Sequence, residues 1–302
     1  MINSIKNVAI VGGTHGNELT GVHLVKHWSE NAKEVARNSF STELHLANPR
    51  AIREVRRYID QDLNRQFALN DLRGCGPSGS GMSGYEQQLA KSWDAKLGPK
   101  ENPRVDFILD MHTTTANMGM SLIFNANDPL LIGMAFYIKQ KMPHAKLFYD
   151  PLDRMEDNFL TSLGRLNGFL IEVGPIAQGL LNYHVYSETK EAVGHALDFL
   201  ELKNTGQAID LPKQMSGYRF TEKIPLPENT KGDLTAMVHP DLQNKDYQPI
   251  EPGDPLFITL AGETIAYEGG ETVYGAFINE AAYYDRHIGL SFMEKVDIIL
   301  GD

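Results

Sequence analysis

Between residues 7 and 203, short apolar runs alternate with segments of helical periodicity, and few architectures accommodate that alternation. Residues 7–11 (NVAIV) form an apolar run that stops at Gly12-Gly13, the signature of a buried strand. Leu19, Val22, Val25 and Trp28 then recur at helical spacing across residues 18–31. Residues 40–46 alternate apolar or Thr positions with polar ones, which predicts a half-buried strand, and residues 49–58 are expected to be helical. Tyr85, Leu89, Trp93 and Leu97 mark a further helix in steps of four. Strands are expected at 105–110, 121–125, 146–149 and 169–173, with helices at 129–142 and 187–203. Strands alternating with helices predict an α/β fold, a mostly parallel or mixed sheet flanked by helices. The pattern changes near Thr205. Beyond it Pro and Gly recur (Pro225, Pro227, Pro240, Pro249, Gly253), with β-type runs at 256–260, 272–278 and 295–300. The expected division is an α/β catalytic domain over residues 1–205 and a smaller β-rich domain over 206–302.

Composition narrows the function classes. The 302 residues carry 28 Lys+Arg against 39 Asp+Glu, a formal charge of −11, so the basic footprint of a nucleic-acid binder is missing. An anionic small substrate stays compatible, because a few arginines in a cleft set the local field. No apolar stretch approaches the length of a membrane span; residues 129–138, the best candidate, read as a helix face. The single cysteine, Cys75, allows no intrachain disulfide, which fits a reducing cytoplasm.

Three groups of residues carry chemistry. His15 and Glu18, three apart in the loop after the first strand, fall on one side of a helical turn. Imidazole nitrogen and carboxylate oxygen are both zinc ligands, and three protein ligands plus water make a catalytic site. His112, at the end of another strand, supplies the third, because open α/β sheets bind ligands beyond the carboxyl ends of their strands. Asp110 is placed to orient a ligand imidazole. The bland alternative is a loop histidine at His15 and a satisfied core histidine at His112. His23 and His27 lack the intervening Glu of a helical zinc motif and read as partly exposed helix residues. Residues 74–84, rich in Gly and Ser, read as a flexible loop and a candidate lid, without the Lys of a phosphate loop.

Glu172 is the second feature, a lone carboxylate inside the apolar run 169–174. Such a group has to be paired, protonated, metal-bound or at an open strand end. Beside a metal it suits general-base work, since an apolar setting raises its pKa. The third is the segment 57–65, where Arg57, Asn64 and Arg65 gather carboxylate-binding and amide groups, with Asp62 available to hold an arginine. A solvated polar loop is the alternative there.

Eight segments, GGTHGNELTG (12–21), NPR (48–50), RYIDQDLNR (57–65), DMHTTTANMG (110–119), IEVGP (171–175), HPDLQ (239–243), PGDPLF (252–257) and NEAAYY (279–284), resemble the aspartoacylase/aminoacylase-3 family of zinc carboxypeptidase-like hydrolases. They cover most of the chain in the family's order. The resemblance implies a carboxypeptidase-like α/β domain, a β-rich C-terminal domain, one zinc per subunit, and hydrolysis of an N-acyl amino acid to a carboxylate and a free amino acid. It implies His15, Glu18 and His112 as zinc ligands and Glu172 as the catalytic glutamate. Arg57 corresponds to the arginine that polarises the scissile carbonyl. Asn64, Arg65 and Tyr283 correspond to substrate-binding residues. A homodimer is compatible with this family.

Two departures stand out. Aspartoacylases proper carry a Tyr and an Arg four apart, upstream of the catalytic glutamate, the Arg reading the aspartate side chain. Those positions fall at Asn158 and Ser162 here, with Arg154 and Arg165 off-register. Thr113 replaces the usual Asn after the histidine. Neutral and aromatic N-acyl amino acids therefore join N-acetylaspartate as expected substrates. The alternatives are a desuccinylase or peptidase on the same scaffold, and a zinc-binding module without turnover.

Overall fold

A computed structural model of the chain describes residues 4–74, 84–125, 128–149 and 158–301. The loop expected over 74–84 falls, but for its end residues, outside them, as do Cys75 and Arg154. The first part of the chain forms β1 (Asn7–Gly12), α1 (Leu19–Glu30), β2 (Ser41–Leu46), α2 (Pro49–Glu54), α3 (Leu69–Leu72), α4 (Tyr85–Leu97), β3 (Phe107–Thr113), β4 (Gly119–Phe124), α5 (Pro129–Lys141), β5 (Lys146–Tyr149), β6 (Gly168–Gly174) and α6 (Tyr183–Asn204). The remainder adds β7 (Gln214–Pro225), β8 (Ala236–Val238), β9 (Pro249–Ile250), β10 (Pro255–Thr259), β11 (Thr264–Ala266), β12 (Val273–Ala276) and β13 (Ile288–Ile299).

Ten of these strands form one mixed sheet in the order β2-β1-β3-β6-β4-β5-β7-β13-β12-β9, and β11-β10-β8 form a second. The large sheet passes from the α/β part into the C-terminal part through the parallel pairing of β5 with β7. The apolar run of β1 is explained by burial on both faces. Val8 and Ile10 join the core built with Leu24, Val25 and Trp28 of α1 and Leu197 and Leu200 of α6. Ala9 and Val11 face the opposite core, with Trp93 and Leu97 of α4. Full burial of side chains such as Leu24 and Phe136 contributes roughly 1.5–3 kcal/mol each. A further cluster packs Ala116 and Met118, just after β3, against Phe148, Ala276, Phe277 and Met293, which ties the two parts together behind the cavity.

Strands β2, β1, β3 and β6 are parallel, so their carboxyl ends share one edge of the sheet. Neighbours β2 and β3 flank β1 on opposite sides, which opens a crevice at that edge. The glycines after β1 are needed for the approach of α1. Gly13 has φ +71°, and a Cβ on Gly12 would lie 2.3 Å from the Gly21 carbonyl oxygen.

Several expectations shift. The helix expected over 49–58 stops at Glu54, because Val55 turns left-handed (φ 50°) and releases the segment that carries Arg57. The strand expected to end at residue 110 continues to Thr113, so His112 lies inside β3. The long strand β7 and the first half of β13 have no counterpart in the sequence reading. Among the described residues, no helix is long and apolar enough to cross a membrane.

Candidate metal centre and active-site cavity

The topology places the site residues before any side-chain detail is considered. His112 of β3 is in register with Glu172 of β6, so both side chains leave the same face of the sheet. Asp110, two residues before His112, shares that face. The loop leaving β1 brings His15 and Glu18 to the same edge.

His15, Glu18 and His112 are all buried, and one ligand atom from each lies within 4.8 Å of the others. His15 Nδ1 is 2.7 Å from Glu18 Oε1, and His112 Nδ1 is 3.1 Å from Glu18 Oε2. The two Nδ1 atoms are 3.2 Å apart. Each imidazole is turned by a carboxylate behind it. His15 Nε2 lies 2.9 Å from Asp62 Oδ1, and His112 Nε2 lies 2.8 Å from Asp110 Oδ2. A carboxylate only accepts, so each Nε2 carries the hydrogen and each Nδ1 presents its lone pair to the centre. Asp110 is itself held by the Thr14 hydroxyl, which donates to Oδ1 at 2.8 Å. Two imidazole nitrogens and a carboxylate converging in a dry place offer a seat for a cation. The donor set, two imidazole nitrogens and one carboxylate, fits zinc with a position left for water.

The buried carboxylates set the charge balance of the cluster. Burial works against a charge on His112, but Asp110 and Glu18 outweigh it and hold its pKa well above the ordinary histidine value. Burial pushes the Glu18 carboxyl up, yet His15 and His112 overcome that and hold it far below the usual range. Asp62 behaves likewise, with His15 and Arg57 outweighing burial. Glu172 goes the other way: burial first, then the charge of Glu18, push its carboxyl well above the carboxylate range. A carboxyl raised in this way holds a proton more readily than an exposed one.

Arg57 closes the side of the site. It donates to Glu18 Oε1 at 3.1 Å and to Asp62 Oδ2 at 3.2 Å. A cavity of about 390 Å³ opens in front of His15 and His112. Arg57, Asn64, Arg65, Glu172 and Tyr283 all line it, so the structure brings these five residues together with the His15–Glu18–His112 cluster. Asn64 is turned by Leu160 N, which donates to Oδ1 at 2.8 Å and leaves Nδ2 for the cavity. Arg65 stacks on the Phe159 ring, 4.6 Å from its centroid. Burial pushes the Tyr283 hydroxyl up to about 12, so it is a neutral donor at ordinary pH. Ser162 faces away from the cavity: its Oγ accepts from Lys100 Nζ at 2.8 Å and donates to the Phe159 carbonyl. Arg165 pairs with Asp106 elsewhere, and His27 pairs with Glu34.

The sequence reading missed the walls. Phe148, Phe159, Phe220, Phe277, Ile123 and Leu170 make most of the cavity apolar, and Glu222, Lys223 and Ser291 edge it. It also missed Glu280, whose buried carboxylate accepts from Thr115 N (2.7 Å), Ala116 N (3.1 Å) and Ala282 N (3.0 Å). Its place beside the quoted Tyr283 was the available signal.

The succinylglutamate desuccinylase/aspartoacylase catalytic domain profile matches residues 4–200, and the barrel-sandwich hybrid domain profile of the same family matches 213–295. The chain belongs to this family. A probable aspartoacylase from Nostoc sp. is 44% identical over 97% of this chain and 98% of its own length. The N-acyl-aromatic-L-amino acid amidohydrolase (carboxylate-forming) of Mus musculus is 39% identical over 96% of this chain and 91% of its own. The crystal structure of murine aminoacylase 3 superposes with a TM-score of 0.92 at 38% identity, covering 99% of this chain and 98% of that one. Succinylglutamate desuccinylases share the fold at lower similarity, as in the Vibrio parahaemolyticus structure (TM-score 0.63, 13% identity, 97% of this chain, 82% of that one). This family member is therefore an amidohydrolase.

Proposed function

We propose that this family member is a zinc-dependent hydrolase of N-acyl amino acids, yielding a carboxylate and a free amino acid, and that it prefers aromatic or bulky apolar side chains. The observation that carries the preference is the cavity wall. Phe148, Phe159, Phe220, Phe277 and Tyr283 surround the space beyond the His15–Glu18–His112 cluster, and the hydroxyl of Ser162 is turned away from it.

Zinc held by His15, Glu18 and His112 supplies Lewis acidity where the three side chains converge. Glu172 takes a proton from the attacking water and delivers it to the leaving amine nitrogen. Arg57, oriented by Glu18 and Asp62, faces the oxyanion that develops on the acyl carbonyl oxygen. Arg65 and Asn64 Nδ2 grip the substrate carboxylate, and Tyr283 adds a neutral hydrogen bond. Residues 1–205 supply the chemistry, and residues 206–302 supply Tyr283 and the far wall. The single Cys75 suits a reducing, cytoplasmic setting.

A second reading, hydrolysis of N-acetylaspartate, rests on the relatives: the probable aspartoacylase of Nostoc sp. is 44% identical to this chain over nearly its whole length. The deciding experiment compares kcat/KM of zinc-loaded protein for N-acetylphenylalanine, N-acetylleucine, N-acetylaspartate and N-succinylglutamate. The aromatic substrate is expected to lead, and a chelator to abolish turnover that zinc restores. Preference for N-acetylaspartate moves the assignment to the second reading. Hydrolysis of none of them refutes both.

A further inference from the structure

Glu86 lies in the first turn of α4 with no exposed surface, and the reaction above does not use it. A buried carboxylate is costly unless its oxygens are fully hydrogen-bonded. Here both are. Oε1 accepts from Ile59 N at 2.7 Å and from Asn48 Nδ2 at 3.1 Å. Oε2 accepts from Asp60 N at 2.9 Å and from Gln61 N at 3.2 Å. Three consecutive backbone N–H groups therefore converge on one side chain. They belong to the segment between α2 and the short 3-10 turn Leu63–Arg65, which has no ladder or helix of its own to satisfy them. Within it the three donors are flanked by Arg57 and Asp62, the two residues that reach Glu18 and His15. Asn48 extends the same node to the metal loop, since its backbone N donates to the Gly13 carbonyl at 3.1 Å.

We propose that Glu86 is a positioning residue: its carboxylate fixes the backbone of 59–61 and so sets Arg57 and Asp62 against Glu18 and His15. The kinetic consequence rests on the function proposed above; the structural one does not. Both carboxylate oxygens are needed. In Glu86→Gln the amide NH2 faces either the Ile59/Asn48 donors or the Asp60/Gln61 donors, and that pair loses its acceptor.

The test has two arms. Residue-resolved amide hydrogen exchange on the zinc-loaded protein is expected to show Ile59, Asp60 and Gln61 protected, although Asp60 and Gln61 are solvent-exposed residues. In Glu86→Gln these amides are expected to exchange at least about tenfold faster, with β3 unchanged. In the kinetic arm, Glu86→Gln is expected to lower kcat/KM for the best N-acyl amino acid about 10–100-fold. The penalty is expected to shrink by at least about threefold in an Arg57→Ala background, because one of the groups being positioned is gone. A penalty of unchanged size in that background means the loss reaches the site by general destabilisation, and overturns the proposal. Unprotected amides at 59–61 in the unmutated protein overturn it without any variant, including the case where Glu86→Gln does not fold. If the unmutated protein hydrolyses no substrate, the functional reading fails and the exchange arm alone judges Glu86.

Discussion

Replacing Glu280 by Ala is expected to cost stability and substrate affinity together. Its carboxylate is 2% exposed and joins two parts of the site that are distant in sequence. One oxygen accepts from Thr115 N, Thr115 Oγ1, Ala116 N and the Thr114 hydroxyl, holding the chain that leaves β3 just after His112. The other accepts from Ala282 N and caps the 3-10 turn Ala281–Arg286, which carries Tyr283. In the Ala variant the hydroxyl of buried Thr114 loses its acceptor, at about 1–3 kcal/mol, while Ala116 N keeps Thr114 Oγ1 at 3.1 Å and the part-exposed Thr115 donors regain water. Loss of the cap adds about 1 kcal/mol. The sum is about 2–4 kcal/mol, or a fall of roughly 3–6 °C in Tm for a chain of 302 residues. Because Tyr283 follows Glu280 by three residues on that turn, KM is expected to rise severalfold. Glu280→Gln keeps the acceptor toward Thr115 and Ala116 and sets its NH2 against Ala282 N, so about 1 kcal/mol is expected. Thermal unfolding of zinc-loaded protein and steady-state kinetics measure both effects. An Ala variant with Tm within about 2 °C of the parent and an unchanged KM would refute the reasoning.

Other expectations follow from the same geometry. Asp62→Asn removes the charge behind His15 and beside Arg57, so zinc affinity is expected to fall about 10–100-fold in a competition titration with a chromophoric chelator; equal affinities would detach Asp62 from the metal site. Phe159→Ala deletes the ring under Arg65 and is expected to raise KM for N-acetylphenylalanine about tenfold and for N-acetylalanine far less; equal effects on the two would remove Phe159 from the side-chain wall. Burial pushes the Asp246 carboxyl up to about 6, although Ile278 N and Asn117 N donate to it. A carboxyl raised in the folded state destabilises the fold above pH 6, and that cost is relieved as pH falls from 6 toward the unfolded value of 3.8. Between pH 7 and pH 5 the parent is therefore expected to gain about 1 kcal/mol relative to Asp246→Asn in denaturant titrations; a constant difference would contradict it.

Much of the site was legible because its chemistry is local. His15 and Glu18 share one loop, and His112 lies on a strand whose apolar run announces a sheet. Adjacent parallel strands did the rest, since His112 and Glu172 are partners in register. What was hidden depends on partners remote along the chain. The donors to Glu86 lie 25–38 residues away, and the Thr114–Ala116 donors to Glu280 lie 164–166 away. In sequence each is an acidic residue in a polar neighbourhood, indistinguishable from a solvated one. Strand β7 escaped notice because it buries little: most of its residues are exposed or half-buried, and its stability comes from an eleven-pair ladder with β13. The truncation of α2 was also illegible, since β-branched Val55 carries no hint of a left-handed conformation. The capping bonds from its N–H to the Ala51 and Ile52 carbonyls offset that cost.

These differences follow the division of labour in the molecule. The groups proposed to act on the amide bond come from the carboxyl ends of β1, β3 and β6 and from one loop, beside a core buried on both faces, where displacement of a backbone is expensive. The residues proposed to meet the substrate side chain come from elsewhere: Phe148 from β5, Phe159 from the segment before β6, Phe220 from β7, and Phe277 and Tyr283 from the region around β12. Phe220 can change without moving His15, Glu18 or His112, because β7 joins the sheet through β5 and β13 and touches neither β1 nor β3. Specificity on this scaffold is thus free to drift while the metal cluster stays fixed.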